Sequence, residues 1–166
     1  MDSAATGRAH IRNEILGSGI SNTLFNGVIA WLLLLSSPAL RWGGEYSVLV
    51  DVIATGLLLP LIVALIVIPL QRGKLNKGKL APINLGPGSV MQSVADRFPA
   101  STFRSALVFG LIGMLLIAPL TLAGFYLLGI EEISPAHYAL FKGIWAGSIA
   151  AVLVVPMVLI ALRGPA

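Results

Sequence analysis

The chain has 166 residues, of which 57% are hydrophobic and only 11% are charged, and its mean hydropathy is +0.91. An ordinary soluble domain carries about 25% charged residues, so this composition predicts an integral membrane protein. The formal charge of +4 does not indicate a nucleic-acid partner, because the basic residues lie between apolar runs rather than across a folded surface. The absence of cysteine excludes disulfides, thiolate metal sites and a cysteine nucleophile.

Four apolar runs, at about residues 15–35, 48–70, 105–128 and 138–162, each have the length of a membrane span. A helix that rises about 1.5 Å per residue needs about 20 residues to cross a hydrocarbon layer of about 30 Å. We therefore predict an all-α integral membrane protein, a four-helix bundle made of two helical hairpins, in which residues 1–166 form a single transmembrane domain. Residues 71–104 form its one sizeable loop.

The Lys and Arg residues predict the orientation of the spans. Of the 11 basic residues, all but Arg41 and Lys142 fall in the N-terminal arm, the 71–104 loop or the C-terminal tail. Because the cytoplasmic segments of membrane proteins carry an excess of Lys and Arg, both termini and this loop are predicted to be cytoplasmic.

The first span carries two asparagines one helical turn apart, Asn22 and Asn26. An amide buried without a partner costs about 2–7 kcal/mol. Gly19, Asn22, Asn26 and Ala30 share one face of a helix, so this small and polar stripe is predicted to face protein rather than lipid. Two roles remain open, because the amides either join helices by hydrogen bonds or line a polar path through the membrane.

Small residues on the second and fourth spans predict close helix packing. The fourth span has Ala139, Gly143, Gly147 and Ala151 at four-residue spacing, and the second has Gly56. Small residues at this spacing let two backbones approach closely. The packing is either within the chain or between chains.

The two hairpins resemble each other, which suggests a parallel internal repeat. The second span ends in TGLLLPLIVALIVIPLQRG, which aligns without gaps on AGSIAAVLVVPMVLIALRG at the end of the fourth, so that Gly56 matches Gly147 and Arg72 matches Arg163. Two copies of a two-span unit would share one orientation and be related by an axis along the membrane normal. Chance similarity between two leucine-rich helices is the alternative.

Asp51 and Lys142 are the only acidic or basic residues inside the four predicted runs. Each lies 21 residues before its matched arginine, so the two occupy corresponding places in the proposed repeat. The second and fourth spans run in the same direction, and we therefore expect the two charges to meet at the outer mouth of the bundle. The alternative is that each side chain reaches separately to the membrane interface.

The 71–104 loop divides into two parts. Its first part, QRGKLNKGKLAPINLGPG, is basic and rich in Gly and Pro, which predicts an extended connection near anionic lipid headgroups. The second part, SVMQSVADRF, would place Val90, Met91, Val94 and Phe98 on one helical face, with Ser89 as N-cap. This pattern predicts a short helix on the membrane surface, and a disordered linker is the alternative.

Proline positions predict two further features. Pro119 lies inside the third span, where it removes a backbone hydrogen bond and is predicted to bend the helix. Ser134 followed by Pro135 predicts the N-cap and the first position of the fourth helix.

No residue pattern indicates catalysis, a cofactor or a metal site. An intramembrane aspartyl peptidase needs two approaching carboxylates, and only Asp51 is available inside a span. His10 and His137 lie outside the apolar runs, so they do not indicate axial haem ligands. We therefore expect a protein that is not an enzyme and has no catalytic residues and no cofactor.

Several segments have a familiar arrangement. An asparagine-bearing first helix follows RNEI, a basic loop occupies the middle, and the last helix opens with ALFKGIWAG and ends with VVPMVLIAL. In these features, which cover most of the chain, the sequence resembles a family of short, uncharacterised bacterial inner-membrane proteins. The resemblance implies the bacterial cytoplasmic membrane and implies no activity.

Two functions are compatible with these patterns. The favoured hypothesis is a small transport or channel-like protein, with a polar path near Asn22 and Asn26 and the Asp51 and Lys142 pair at its mouth. The alternative is a non-catalytic accessory or scaffold protein. Its glycine stripe on the fourth span would dock a partner helix or a second copy of the chain, and its basic loop would bind anionic lipid.

Overall fold

The structure, a computed structural model, describes residues 3–83 and 90–163. In chain order its elements are α1 (Ser3–Leu34), β1 (Leu40–Arg41), α2 (Val48–Asn76), α3 (Val90–Arg97), α4 (Thr102–Ile112), a π-helical segment (Gly113–Ile117), α5 (Ala118–Leu127), β2 (Glu132–Ile133) and α6 (Pro135–Ala161). The predicted N-cap of the short loop helix, Ser89, lies outside the described residues.

Within the described part of the chain, four helices are long and apolar enough to cross a membrane, namely Gly7–Leu34, Val48–Asn76, Thr102–Leu127 and Pro135–Ala161. The predictions of an all-α four-helix bundle and of a short helix in the central loop are therefore confirmed. α1 begins well before the predicted first span, and α2 continues to Asn76, beyond the predicted end of the second. Both extensions are polar, and side chains on them hydrogen-bond to one another.

The bundle has two ends that differ in chemistry. We call the end with the two short connections, residues 35–47 and 128–134, the hairpin end. The other, which holds residues 77–83 and 90–101 and the C-terminus of α6, is the loop end. The basic residues concentrate at the loop end.

The two hairpins interlock instead of standing side by side. α1, from the first hairpin, packs against α6 of the second, and α4 of the second hairpin packs against α2 of the first, while α2 also contacts α6. If α1 corresponds to α4 and α2 to α6 in the proposed repeat, then the packed pair of α1 and α6 corresponds to the packed pair of α4 and α2. An internal repeat about an axis along the bundle produces this pattern.

α1 lies against the small-residue stripe of α6. A Cβ atom added at Gly143 would be 2.8 Å from the Thr23 carbonyl oxygen and 3.1 Å from the Cα of Gly27. A Cβ atom added at Gly147 would overlap the Thr23 hydroxyl and lie 2.7 Å from the Gly19 carbonyl oxygen. Glycine is therefore required at both positions for the two backbones to approach this closely.

The third span changes its helical geometry next to its proline. The π-helical segment Gly113–Ile117 connects α4 to α5, and the backbone N–H of Ala118 donates to the carbonyl of Gly113. Pro119 has no N–H to donate, and a π segment is one way in which a helix accommodates such an interruption. A Cβ atom at Gly113 would overlap the Gly56 carbonyl oxygen, so α2 packs directly on the irregular turn.

A small β-sheet joins the two connections at the hairpin end. β1 and β2 pair antiparallel, with Leu40 opposite Ile133 and Arg41 opposite Glu132. The sequence patterns did not predict this sheet, because two-residue strands leave no periodic signal. The predicted cap of α6 is confirmed, since the Ser134 hydroxyl accepts a hydrogen bond from the backbone N–H of His137.

α3 closes the loop end of the bundle. Its Ala95 is buried against α6, whereas Val94, which was expected on the apolar face, is more than a third exposed. The guanidinium of Arg163 donates to the backbone oxygens of Ala95 and Phe98, and that of Arg72 donates to the oxygen of Ala100. The two arginines that match in the proposed repeat therefore both hold the segment around the end of α3.

Replacing Arg163 with glutamine is expected to loosen α3 while the four long helices remain folded. Hydrogen bonds from a charged donor contribute about 1.5–3 kcal/mol, so amide hydrogen exchange in α3 should become about tenfold faster or more. Arg104→Gln is the control, because Arg104 is exposed on α4. Equal exchange rates in both variants would contradict a clamping role for Arg163.

Candidate functional site

A carboxylate, an ammonium group and a phenol meet at the hairpin end of the bundle. The Lys142 ammonium donates to Asp51 Oδ1 over 2.6 Å, and the Tyr138 hydroxyl donates to Asp51 Oδ2 over 2.5 Å. The side chain of Asp51 is 34% exposed and that of Lys142 is 15% exposed, while Tyr138 is buried. The structure thus brings the two charged residues together and adds a third polar group.

Helix geometry places these three side chains. Ser47 is the N-cap of α2, so Asp51 stands in the first turn, where the positive end of the helix dipole favours a carboxylate. Tyr138 and Lys142 are four residues apart on α6 and therefore lie on one face of that helix. The Tyr138 ring also packs against Phe141, with centroids 5.8 Å apart. This packing helps to fix the orientation of the Tyr138 ring.

The three groups open into a cleft of about 330 Å³. Its wall is built by α1, the first connection, α2 and α6, and its lining residues include Ala30, Leu33, Val50, Ala54 and Tyr46 in addition to the polar cluster. Most of the lining is apolar, with charge concentrated at Asp51, Lys142 and the exposed Glu45. A cleft of this kind suits a ligand that has one polar and one apolar part.

The cluster keeps unused hydrogen-bonding capacity. An ammonium group has three N–H donors and a carboxylate has about four acceptor positions. The described contacts use one donor of Lys142 and two acceptor positions of Asp51. Both groups can therefore bind a ligand without giving up their mutual contact.

Asn22 and Asn26 do not join α1 to another helix among the described residues. The Asn22 side chain donates to the Ser18 carbonyl oxygen over 2.9 Å, and that of Asn26 donates to the Asn22 carbonyl oxygen over 3.0 Å. Both side chains are half-buried at the edge of the α1 and α6 contact. Close contacts to α6 come instead from Gly19, Thr23 and Gly27. The hypothesis that the two asparagines line a polar path stays a prediction.

The other small residues that the sequence singled out lie at the helix contacts. Gly143, Gly147 and Ala151 face α1, where Ala151 Cβ is 3.3 Å from the position of a Cβ atom at Gly19. Gly56 faces the π-helical segment, and a Cβ atom there would be 3.0 Å from Ala118 Cβ. Within this chain the stripe on α6 is therefore covered by α1.

A second polar cluster at the loop end was missed by the sequence analysis. His10 Nε2 lies 2.8 Å from the side-chain oxygen of the fully buried Gln71, and the Lys74 ammonium donates to Glu14 over 2.9 Å. His10 and Glu14 are four residues apart on α1, which is the one signal that was available in the sequence. The cluster links α1 to α2 at the end opposite the cleft.

Comparison with known proteins gives no family assignment. The chain matches no family model, no curated protein and no solved structure. The resemblance to short bacterial inner-membrane proteins therefore stays a prediction, and what stands is a small four-pass membrane protein. Among the described residues no group of three or more His, Asp or Glu side chains is placed to hold a metal ion.

Proposed function

We propose that this multi-pass membrane protein is a small, non-catalytic transport or channel-like protein whose ligand enters the cleft at the hairpin end. One observation carries the proposal: an ion pair stands at the wall of a cleft inside a membrane-spanning bundle. Charged side chains within membrane spans are costly, and they commonly mark the pathway of an ion or substrate.

The shape of the bundle agrees with a binding site that opens at one end. Toward the loop end, the next contact between α1 and α6 is the tight one at Gly27 and Gly143. At the loop end itself, α3 and the His10 and Gln71 contact cover the bundle. The described arrangement is then the form that is open at the hairpin end, and passage requires a second form in which the α1 and α6 contact loosens.

The accessory or scaffold role is the second candidate, and it has its own support. Asn22 and Asn26 are satisfied by their own helix, so they supply no evidence of a continuous polar path. However, the glycine stripe that was expected to dock a partner helix is covered by α1. A partner helix or a second copy of the chain would have to use another surface, such as the lipid-facing side of α1.

The proposed setting is the bacterial cytoplasmic membrane, with both termini and the loop end in the cytoplasm. The concentration of Lys and Arg at the loop end supports this orientation. The same residues supply positive charge for anionic lipid headgroups. The hairpin-end cleft would then open to the outer side of the membrane.

Single cysteines test the proposal cleanly because the chain has none of its own. In sealed phosphocholine vesicles of known orientation, Ala54→Cys in the cleft should react with a membrane-impermeant maleimide from the hairpin side. The rate should be comparable to that of Gly43→Cys in the first connection, since the thiolate forms only where water reaches it. Lys77→Cys should react from the opposite side.

Each result decides a specific point. Protection of Ala54→Cys from both sides, with Gly43→Cys fully labelled, would refute a water-accessible cleft and with it the transport proposal. Labelling of Asn26→Cys would extend the accessible path toward the middle of the membrane. Protection of Asn26→Cys beside a labelled Ala54→Cys would instead place the closed part of the path between these two positions.

A further inference from the structure

The cleft has an open side toward the lipid. α1 packs on α6, so at the hairpin end it stands apart from α2, and the cleft lies between them. Two lining residues on opposite sides of this opening are largely exposed, Leu33 of α1 at 76% and Val50 of α2 at 63%. In a bilayer these surfaces meet acyl chains. The cleft is therefore accessible from within the membrane as well as from the hairpin end.

The charges in the cleft favour one class of headgroup. Asp51 and Glu45 contribute two carboxylates to the lining and Lys142 contributes one ammonium. A headgroup with both signs of charge can use both kinds of group, whereas a purely anionic headgroup would meet excess negative charge. A primary ammonium can donate hydrogen bonds to Asp51, which a quaternary ammonium cannot do.

We propose that this cleft binds a zwitterionic phospholipid with a primary ammonium, a phosphoethanolamine lipid, that enters sideways between α1 and α2. The ammonium binds the free acceptor positions of Asp51, the phosphate binds the remaining N–H groups of Lys142, and an acyl chain lies against Leu33, Val50 and Ala54. The inference rests on the proposed function and names the ligand class of the same cleft.

Lipid binding to the purified full chain in detergent tests the inference directly. Native mass spectrometry measures the dissociation constants of phosphoethanolamine, phosphocholine and phosphoglycerol lipids that carry identical acyl chains. Because hydrogen bonds to charged groups are stronger than those between neutral groups, the phosphoethanolamine lipid should bind about tenfold more tightly than the others, or better. Soluble glycerophosphoethanolamine, which lacks the acyl chains, should bind much more weakly.

Matched variants assign the preference to the cleft. Asp51→Asn should abolish it, with a loss of about tenfold in affinity for the phosphoethanolamine lipid, whereas Lys142→Met removes the contact to the phosphate and should weaken all three lipids about equally. Glu132→Gln and Arg41→Gln are the controls, because this exposed ion pair lies at the same end but outside the cleft lining. Ala54→Phe fills part of the cleft and leaves both residues of the ion pair unchanged, and it should also weaken binding. A thermal melt of each variant confirms that it is folded.

The outcomes separate the inference from the function on which it rests. Equal affinities for the three lipids, or the same loss in Glu132→Gln as in Asp51→Asn, would overturn the lipid assignment. If Ala54→Cys is still labelled by maleimide in that case, the transport proposal stands with another ligand. Equally tight binding of glycerophosphoethanolamine would overturn the sideways entry and indicate a soluble zwitterion. Protection of Ala54→Cys from the maleimide on both sides of the membrane would contradict the proposed function itself.

Discussion

Replacing Gly147 with leucine is expected to separate α1 from α6 and to cause the largest loss of stability of any single change considered. Even the first carbon of the new side chain would overlap the Thr23 hydroxyl and press on the Gly19 carbonyl oxygen. Overpacking a tight contact typically costs about 1–3 kcal/mol. Backbone atoms here cannot move aside as a flexible side chain can, so we expect about 3 kcal/mol or more. The free energy of unfolding in detergent measures the effect.

Gly17→Leu is the matched control for this substitution. Gly17 lies on α1 two residues before Gly19, yet a Cβ atom there would have no neighbour within 4 Å. Because glycine lowers helix stability by about 0.5–1 kcal/mol relative to alanine, its replacement should be neutral or slightly stabilising. A similar loss of stability in both variants would contradict the close contact between α1 and α6.

A disulfide between the two helices gives a second readout. In the double variant Gly19→Cys with Ala151→Cys, the two Cβ positions are 3.3 Å apart, close to the about 3.5–4.5 Å of a natural disulfide. The pair should oxidise rapidly, and the addition of Gly147→Leu should slow this oxidation strongly. Unchanged oxidation would mean that α1 stays in place despite the added side chain.

Removing either charge of the Asp51 and Lys142 pair is expected to destabilise the protein more than removing both. Loss of one partner from a buried pair costs about 3–5 kcal/mol, and because Asp51 is one-third exposed we expect about 1–3 kcal/mol for Asp51→Asn or Lys142→Met. In the double variant no charge is left unpaired. The coupling energy from the double-mutant cycle should therefore be about 1 kcal/mol or more.

The Arg41 and Glu132 pair is the internal standard for this cycle. Its side chains are 73% and 57% exposed, and exposed ion pairs contribute about 0–1 kcal/mol. The coupling between Asp51 and Lys142 should exceed that between Arg41 and Glu132 and should depend less on salt. A coupling of zero between Asp51 and Lys142 would mean that each side chain reaches the interface independently.

Several site residues could be identified from the sequence, although their partners could not. Asp51 and Lys142 stood out because charge is rare inside apolar runs and because both occupy corresponding places in the proposed repeat. Tyr138 was unremarkable as one aromatic residue near a span end, yet its hydroxyl completes the cluster. A side chain's hydrogen-bond partner on another helix depends on how the two helices are rotated, which periodicity on one helix does not specify.

The first span shows the same limit. Two residues of the predicted stripe of Gly19, Asn22, Asn26 and Ala30 do face protein: Gly19 contacts α6, and Ala30 is buried. A rotation of the helix by a fraction of a turn puts Thr23 and Gly27 in the contact and leaves the asparagines at its edge. There each amide reaches a carbonyl four residues back on its own helix, so it needs no partner on another helix.

The sequence by itself determined the number of spans, the caps that start the fourth helix and the small residues at which helices meet. These features follow from local chemistry: the length of an apolar run, a serine before a proline, and glycine at four-residue spacing. Only the tertiary structure decided that α1 covers the α6 stripe, that the hairpins interlock, and that a cleft opens beside Asp51. These depend on which surfaces fit each other best, a property of all the helices together.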